Sequence, residues 1–369
     1  MMNGDIKVAV IGTGFGQKVH IPGFQIHHRT KVQGVYHRDA AKAQAVADEF
    51  NIPQAYSSLE ELFKSPDIDA VSIATPPFLH AEMAQQAIAA GKHLLLEKPM
   101  TLNVSEAKTL YHLAQDKGIV AAMDFEYRGV PTWMRLAELL EAGYVGQKRL
   151  IKIDWLMSSR ANPQRDWNWY AQKDKGGGAL GALGSHTFDY IAWLFGPVQR
   201  LFAQVTTAIA ERPDPNEGGI LKPVDADDTA LLTLELADGT PCQVSISSVT
   251  YAGRGHWLEV YGDAGTLILG SHNQKDYVHG FKLLGSQGGK PPLELDIPEN
   301  LTFPRSYPDG RLAPFLRTID RWVQGIDSGV AIAPSFREGV YSQLLMDLTH
   351  ESSQHQGWVN VPHLDDVLR

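Results

Sequence analysis

The chain has 369 residues, 43% of them hydrophobic, and a formal net charge of −9 at pH 7. That length suggests two domains, and an acidic balance without any basic block argues against nucleic-acid binding. A single cysteine, Cys242, excludes an internal disulfide and any multi-thiolate metal site.

The first apolar run, Val8-Ala9-Val10-Ile11, leads straight into Gly12-Thr13-Gly14-Phe15-Gly16. Four apolar residues bounded by glycine read as a buried parallel strand. The glycines let the chain turn sharply and let a phosphate approach the backbone, where the amides of the next helical turn can hold it. Gly12, Thr13, Gly14, Phe15 and Gly16 are therefore candidate dinucleotide-binding residues. The third glycine of the usual pattern is replaced by Gln17, and Pro22-Gly23 shortens any helix that follows. No basic n-region or apolar h-region precedes this strand, no apolar run is long enough for a membrane span, and the expectation is a cytoplasmic protein.

Residues 31–36 read as the second strand. An acid at its end normally accepts hydrogen bonds from the cofactor ribose; here His37 and Arg38 stand there. A guanidinium can pair with a 2′-phosphate that a carboxylate would repel, so NADP is favoured, with NAD still open. Asp39 is placed to cap a helix over Ala40–Phe50. A strand over 69–74 is stopped by Thr75-Pro76-Pro77, and a helix over 81–90 closes at Gly91. His93–Leu96 is a short strand, 105–117 a helix ending at Gly118, and 119–122 a further strand. This alternation predicts a doubly wound parallel sheet of Rossmann type over residues 1–125. Ligands sit at the carboxyl ends of such strands, just where Gly12, His37, Thr75 and Glu97 fall.

Beyond about residue 125 the strands lengthen: 150–156, Thr229–Leu236, 243–249 and 258–261, with Asp238-Gly239 as a hairpin signal. Residues 126–369 are thus expected to form an α+β domain with a large, mostly antiparallel open sheet. Helices over 180–195 and 336–349 would cover one face. Segments 211–223 and 286–292 read as surface loops. The acidic run Asp225, Asp227, Asp228 lacks histidines at ligand spacing and reads as a solvated loop, so no metal is expected. Trp167 and Trp169 offer aromatic faces to a sugar-like substrate, or pack on the glycines that follow. Arg160 and Arg165 flank that cluster and suit an acidic substrate.

Thr75-Pro76-Pro77-x-x-His80, Glu97-Lys98-Pro99 with its preceding Ala-Gly-Lys-His, and the later Gly176-Gly177-Gly178 segment resemble the Gfo/Idh/MocA family, from Ile6 to about Pro362. The resemblance implies a nicotinamide-dependent oxidoreductase acting on sugars, polyols, inositols or related carbonyls. It adds Thr75, Pro76, His80, Glu97 and Lys98 to the cofactor set and makes Lys98 the acid/base. A lysine at a strand end can exchange a proton with a substrate hydroxyl. His186 matches the family's catalytic histidine, and Asp189 shares its helical face. Many family dehydrogenases carry an aspartate four residues before that histidine; this chain has Ala182. Arg128 is a candidate substrate contact, and a homo-oligomer, dimer or tetramer, is expected. Reduction of a conjugated substrate such as a tetrapyrrole, or a non-catalytic dinucleotide-binding regulator, are the alternative readings.

Overall fold

In the computed structural model, which describes residues 4–273 and 278–369, the apolar run after Asp5 forms β1 (Ile6–Ile11). Five more parallel strands flank it: β2 (Thr30–Tyr36), β3 (Gln54–Tyr56), β4 (Ala70–Ile73), β5 (His93–Leu96) and β6 (Ala121–Met123), in the order β3-β2-β1-β4-β5-β6. That order is the doubly wound arrangement expected from the alternation. The intervening helices are α1 (Ile21–Ile26), α2 (Ala40–Phe50), α3 (Leu59–Lys64), α4 (His80–Ala89) and α5 (Val104–Asp116). The expected punctuation holds: Asp39 accepts the Ala41 and Lys42 amides, and Gly91 and Gly118 adopt φ of +73° and +63° after their helices.

The chain divides into two compact units, residues 1–126 with 307–343 and Leu368, and residues 127–306 with 344–367 and Arg369. Segment 307–343, expected in the second domain, thus belongs to the first. It contributes α8 (Leu312–Ser328), whose Phe315, Ile319 and Trp322 are buried in one core with Val8, Val10, Phe24 and Leu95. Burial of apolar area of this size is the main favourable term of such a unit, at roughly 25 cal/mol per Å².

The second unit is built on a nine-stranded sheet. Its strands are β7 (Lys148–Leu156), β8 (Val198–Thr206), β11 (Thr229–Leu236), β12 (Pro241–Ser247), β13 (Gly255–Gly262), β14 (Gly265–Ser271), β15 (Lys282–Gln287), β16 (Leu293–Glu294) and β17 (Val359–Asn360). All neighbours pair antiparallel except β12 with β7, which are parallel. Strand β11 shows the alternation behind this: Ala230, Leu232, Leu234 and Leu236 are buried while Leu231 is exposed. Helices α6 (Pro131–Glu141), α7 (Ser185–Phe195), α9 (Phe336–His355) and α10 (Leu364–Val367) complete the chain, α9 running further than the 336–349 expected.

One of the two expected surface loops is ordered otherwise. Within 211–223, β9 (Glu211–Asp214) and β10 (Ile220–Pro223) form an antiparallel ribbon, held by Lys222 on Asp214 at 2.7 Å. Segment 286–292 is the connection between β15 and β16. Among the described residues no helix is long and apolar enough to cross a membrane.

Candidate active site

In the first unit the ligand-facing features gather at the carboxyl ends of the parallel strands. Gly12 follows β1 with φ +114°, and a Cβ there would lie 2.5 Å from the Ala74 carbonyl oxygen, so only glycine fits. Around Gly14 nothing comes within 4 Å of a Cβ position, leaving that backbone open. At Gly16 a Cβ would press on Val10 Cγ1 at 3.1 Å and Ala74 Cβ at 3.3 Å. The close packing usually provided by the third glycine thus falls on Gly16, while Gln17 reaches the surface carboxylate of Glu49 at 3.0 Å. Thr13 and Phe15 complete the turn, with the Arg311 guanidinium over the Phe15 ring at 4.9 Å. An open amide-lined turn of this kind fits the pyrophosphate of a dinucleotide.

At the end of β2, His37 Nδ1 accepts the Asp39 amide at 2.9 Å, and Asp39 Oδ1 caps α2. Arg38 is exposed and carries no side-chain partner among the described residues. Thr75 and Pro76 are half-buried at the end of β4. His80, expected against the cofactor, is instead fully buried between backbone carbonyls, with Nδ1 3.0 Å from Pro99 O and Nε2 2.8 Å from Thr75 O. Burial holds its imidazole below the usual value against those carbonyls. A neutral ring donates only one of the two bonds. His80 therefore ties the loop after β4 to the loop after β5.

Glu97 is likewise turned inward. Its Oε1 lies 3.1 Å from Nε2 of His20, and its Oε2 accepts the Lys98 amide at 3.1 Å. His20 is fully buried, its Nδ1 2.6 Å from Ser72 Oγ and its ring stacked on Phe315 at 4.4 Å. Asp124, just past β6, brings Oδ2 to 3.7 Å from His20 Nε2. The ligand atoms of His20, Glu97 and Asp124 all lie within 4.8 Å of one another. Serine and glutamate already occupy both imidazole nitrogens, so the cluster reads as a hydrogen-bonded network. Burial alone would raise the Glu97 carboxyl, but the His20 bond and charge, with Lys98, hold it below the usual value. Burial and the charges of Glu97 and Glu126 push Asp124 well above its own. Of these two neighbouring carboxyls, the neutral form is favoured at Asp124 and the charged form at Glu97. Lys98 itself is half-buried.

In the second unit, a π-helical turn over Leu180–Gly184 leads into α7. His186 is buried on α7, edge-on to Tyr127 at 5.0 Å and 6.2 Å from Trp155. Trp155 stacks on His256 at 3.9 Å, and burial pushes that imidazole down to about 3, so it is neutral. Asp189, expected as part of the catalytic set, is committed elsewhere. Arg128 donates to it from Nε at 2.9 Å and Nη2 at 2.7 Å, with both groups buried. Arg128, expected to meet substrate, is the other half of that bidentate pair. Trp167 donates Nε1 to Pro223 O at 2.9 Å and lies under Lys222 Nζ, so it anchors the β9–β10 ribbon, while Trp169 is half-buried against Tyr170.

The acidic run is not a solvated loop. Asp227 is buried and accepts the Leu180 amide at 2.7 Å, while its backbone carbonyl takes the Ala179 amide at 2.9 Å. It caps the turn that carries α7, and burial pushes its carboxyl up to about 6. Asp228 accepts the amides of Ala208 and Ile209. Sequence reasoning passes over His20, Ser72 and Asp124 as well. The legible signal for Asp124 was an acid just beyond a strand end, as at Glu97; His20 lies too far beyond the glycine turn for spacing alone to mark it.

The comparisons agree with this geometry. The profile of an oxidoreductase family with an NAD-binding Rossmann fold matches residues 6–125, and that of the family's C-terminal alpha/beta domain matches 137–361. An uncharacterized oxidoreductase of Synechocystis sp. is 58% identical over 364 residues, covering 99% of this chain and 98% of that protein. Levoglucosan dehydrogenase of Pseudarthrobacter phenanthrenivorans is 27% identical over 398 residues, covering 98% of this chain and 99% of that protein. A solved levoglucosan dehydrogenase in complex with NADH and L-sorbose superposes with a TM-score of 0.86 at 26% identity, covering 98% of this chain and 100% of that one. The Rossmann sheet, the glycine turn and these matches together show that the chain belongs to the Gfo/Idh/MocA family of NAD(P)-dependent oxidoreductases, acting on CH–OH or C=O groups.

Proposed function

We propose that this oxidoreductase interconverts a secondary hydroxyl and a carbonyl on a sugar, polyol or inositol, with Lys98 as the acid/base and NADP(H) preferred to NAD(H). The observation that carries the reading is Lys98 at the carboxyl end of β5, over a buried Glu97 whose charge is fixed by His20. A bound nicotinamide supplies or accepts the hydride. Lys98 takes the proton from the substrate hydroxyl during oxidation and returns it during reduction. Glu97 fixes the Lys98 backbone by accepting its amide. His186 orients the substrate oxygen. The dehydrogenase names of the relatives support the enzymatic reading over the regulatory one, and the sugars in their names support the substrate class.

Arg38 supports the cofactor preference, because it is exposed and no acid competes for it. A fluorescence titration is expected to show NADPH binding more tightly than NADH, and Arg38→Ala to weaken NADPH by about tenfold while leaving NADH unchanged. The reverse order of affinities would overturn the preference. The activity itself is tested by a panel of sugars, polyols and inositols with NADP+. Turnover of at least one is expected, and a silent panel with cofactor binding intact would remove the dehydrogenase reading. We read the protein as a cytoplasmic homo-oligomer, a dimer or tetramer. Leu150, Phe202 and Leu231 support the association, being 36%, 36% and 46% exposed on the second unit's sheet.

A further inference from the structure

The loop that leaves β7 gathers three arginines. Arg212 of β9 is buried and donates Nη1 to Asn162 O at 2.8 Å and Nη2 to Arg160 O at 2.7 Å. Arg165 donates Nη1 to Ser159 O at 2.9 Å. These two guanidiniums brace the loop backbone, and the Arg160 amide is fixed on Ser248 O at 2.8 Å. The Arg160 side chain is held differently: its guanidinium lies over the Tyr170 ring at 3.8 Å. Stacking uses the face of a guanidinium and leaves its in-plane N–H groups to donate. Burial and the charges of Arg165 and Arg212 both work against the Arg160 cation.

No carboxylate among the described residues forms an ion pair with any of the three. Asp228, the one acid acting on Arg212, takes the Ala208 and Ile209 amides on Oδ2 and forms no ion pair with the guanidinium. The buried Ser248 hydroxyl lies beside that of Tyr170. Arg160 and Arg212 are partly desolvated beside the exposed Arg165, and such a group of like charges favours a bound anion. The loop begins just after Trp155, the residue 6.2 Å from His186, and Tyr170 O accepts the Gly178 amide at 3.1 Å in the turn leading to α7.

We propose that Arg160, set by Arg165 and Arg212, forms an anion site with Tyr170 and Ser248, and that it selects substrates bearing a carboxylate or phosphate group. Assigning the anion to the substrate rests on the dehydrogenase reading above; the site itself does not. A planar carboxylate suits the Arg160 fork, and a phosphate accepts the same donors.

Calorimetry tests the site without turnover. The full chain, saturated with NADPH so that the glycine turn is filled, is titrated with D-gluconate, inorganic phosphate and D-glucose. Saturable binding of gluconate or phosphate is expected, about tenfold tighter than glucose, with an affinity that falls as salt rises. Gluconate binding alone identifies a carboxylate reader, and phosphate binding alone a phosphate reader. Arg160→Gln should weaken the anion about tenfold and leave glucose unchanged, while Arg160→Lys should regain part of the loss. Non-saturable heats, a salt-independent affinity of the unsubstituted chain, or an unchanged affinity in Arg160→Gln would each overturn the site. Anion binding that depends on Arg160, beside a silent sugar panel, would leave the site standing and remove the dehydrogenase reading. Turnover of neutral sugars without anion binding would do the opposite.

Discussion

Lys98→Met is expected to lower kcat by about 10²- to 10⁴-fold, the range that a positioned acid/base contributes, while cofactor affinity stays within about twofold of the unsubstituted chain. Methionine matches the length and packing of lysine but neither carries nor accepts a proton. Its partners in the first unit stay in place, because Glu97 is held by His20 and Asp124 rather than by the Lys98 side chain alone. The carboxyls that feel the lysine charge are Glu97 and Asp124, and Glu97 is the one held below its usual value. The decisive comparison is steady-state kcat beside a fluorescence-derived Kd for NADPH. Unchanged turnover would remove Lys98 from the mechanism, and a collapse of cofactor affinity would make its role one of binding.

The second large effect is on stability. Asp189→Ala is expected to cost about 3–5 kcal/mol, the usual result of leaving one half of a buried ion pair uncompensated. Arg128 would then be a buried guanidinium stripped of its bidentate carboxylate. Replacing both residues with leucine should recover much of the loss, since a buried pair often exchanges for apolar packing at little cost. Urea denaturation of the three variants measures this directly. A stable Asp189→Ala protein that has lost only turnover would return Asp189 to the catalytic set.

The parallel sheet was legible because its signals are local. Gly12 and Pro76-Pro77 punctuate strand ends, and Asp39, Gly91 and Gly118 bound helices by their own backbone chemistry. Helix α8 escaped the reading because Pro314 and Gly325 look like breakers. Pro314 stands in its first turn, where no amide is owed a partner, and a Cβ at Gly325 would crowd Val120 at 3.1 Å. Lys98 and His186 could be marked as candidates because their residue types announce a chemistry. Pairing across the chain could not be marked. Nothing local tells that Asp189 faces Arg128 sixty-one residues away, or that Asp227 answers the open amides at 179–180. Acids crowded in sequence suggest solvent, yet a helix start buried in a protein needs an acceptor, and Asp227 is where this fold finds one.

During synthesis, the nucleotide-binding half cannot finish as soon as it leaves the ribosome. Phe24 and its neighbours on the sheet wait for Phe315, Ile319 and Trp322, which emerge nearly three hundred residues later. Until then an apolar surface stays bare, open to chaperones or to other nascent chains. A fragment cut at residue 126 would inherit that exposure for good, so the shortest piece able to stand alone as a dinucleotide binder must carry α8 with it.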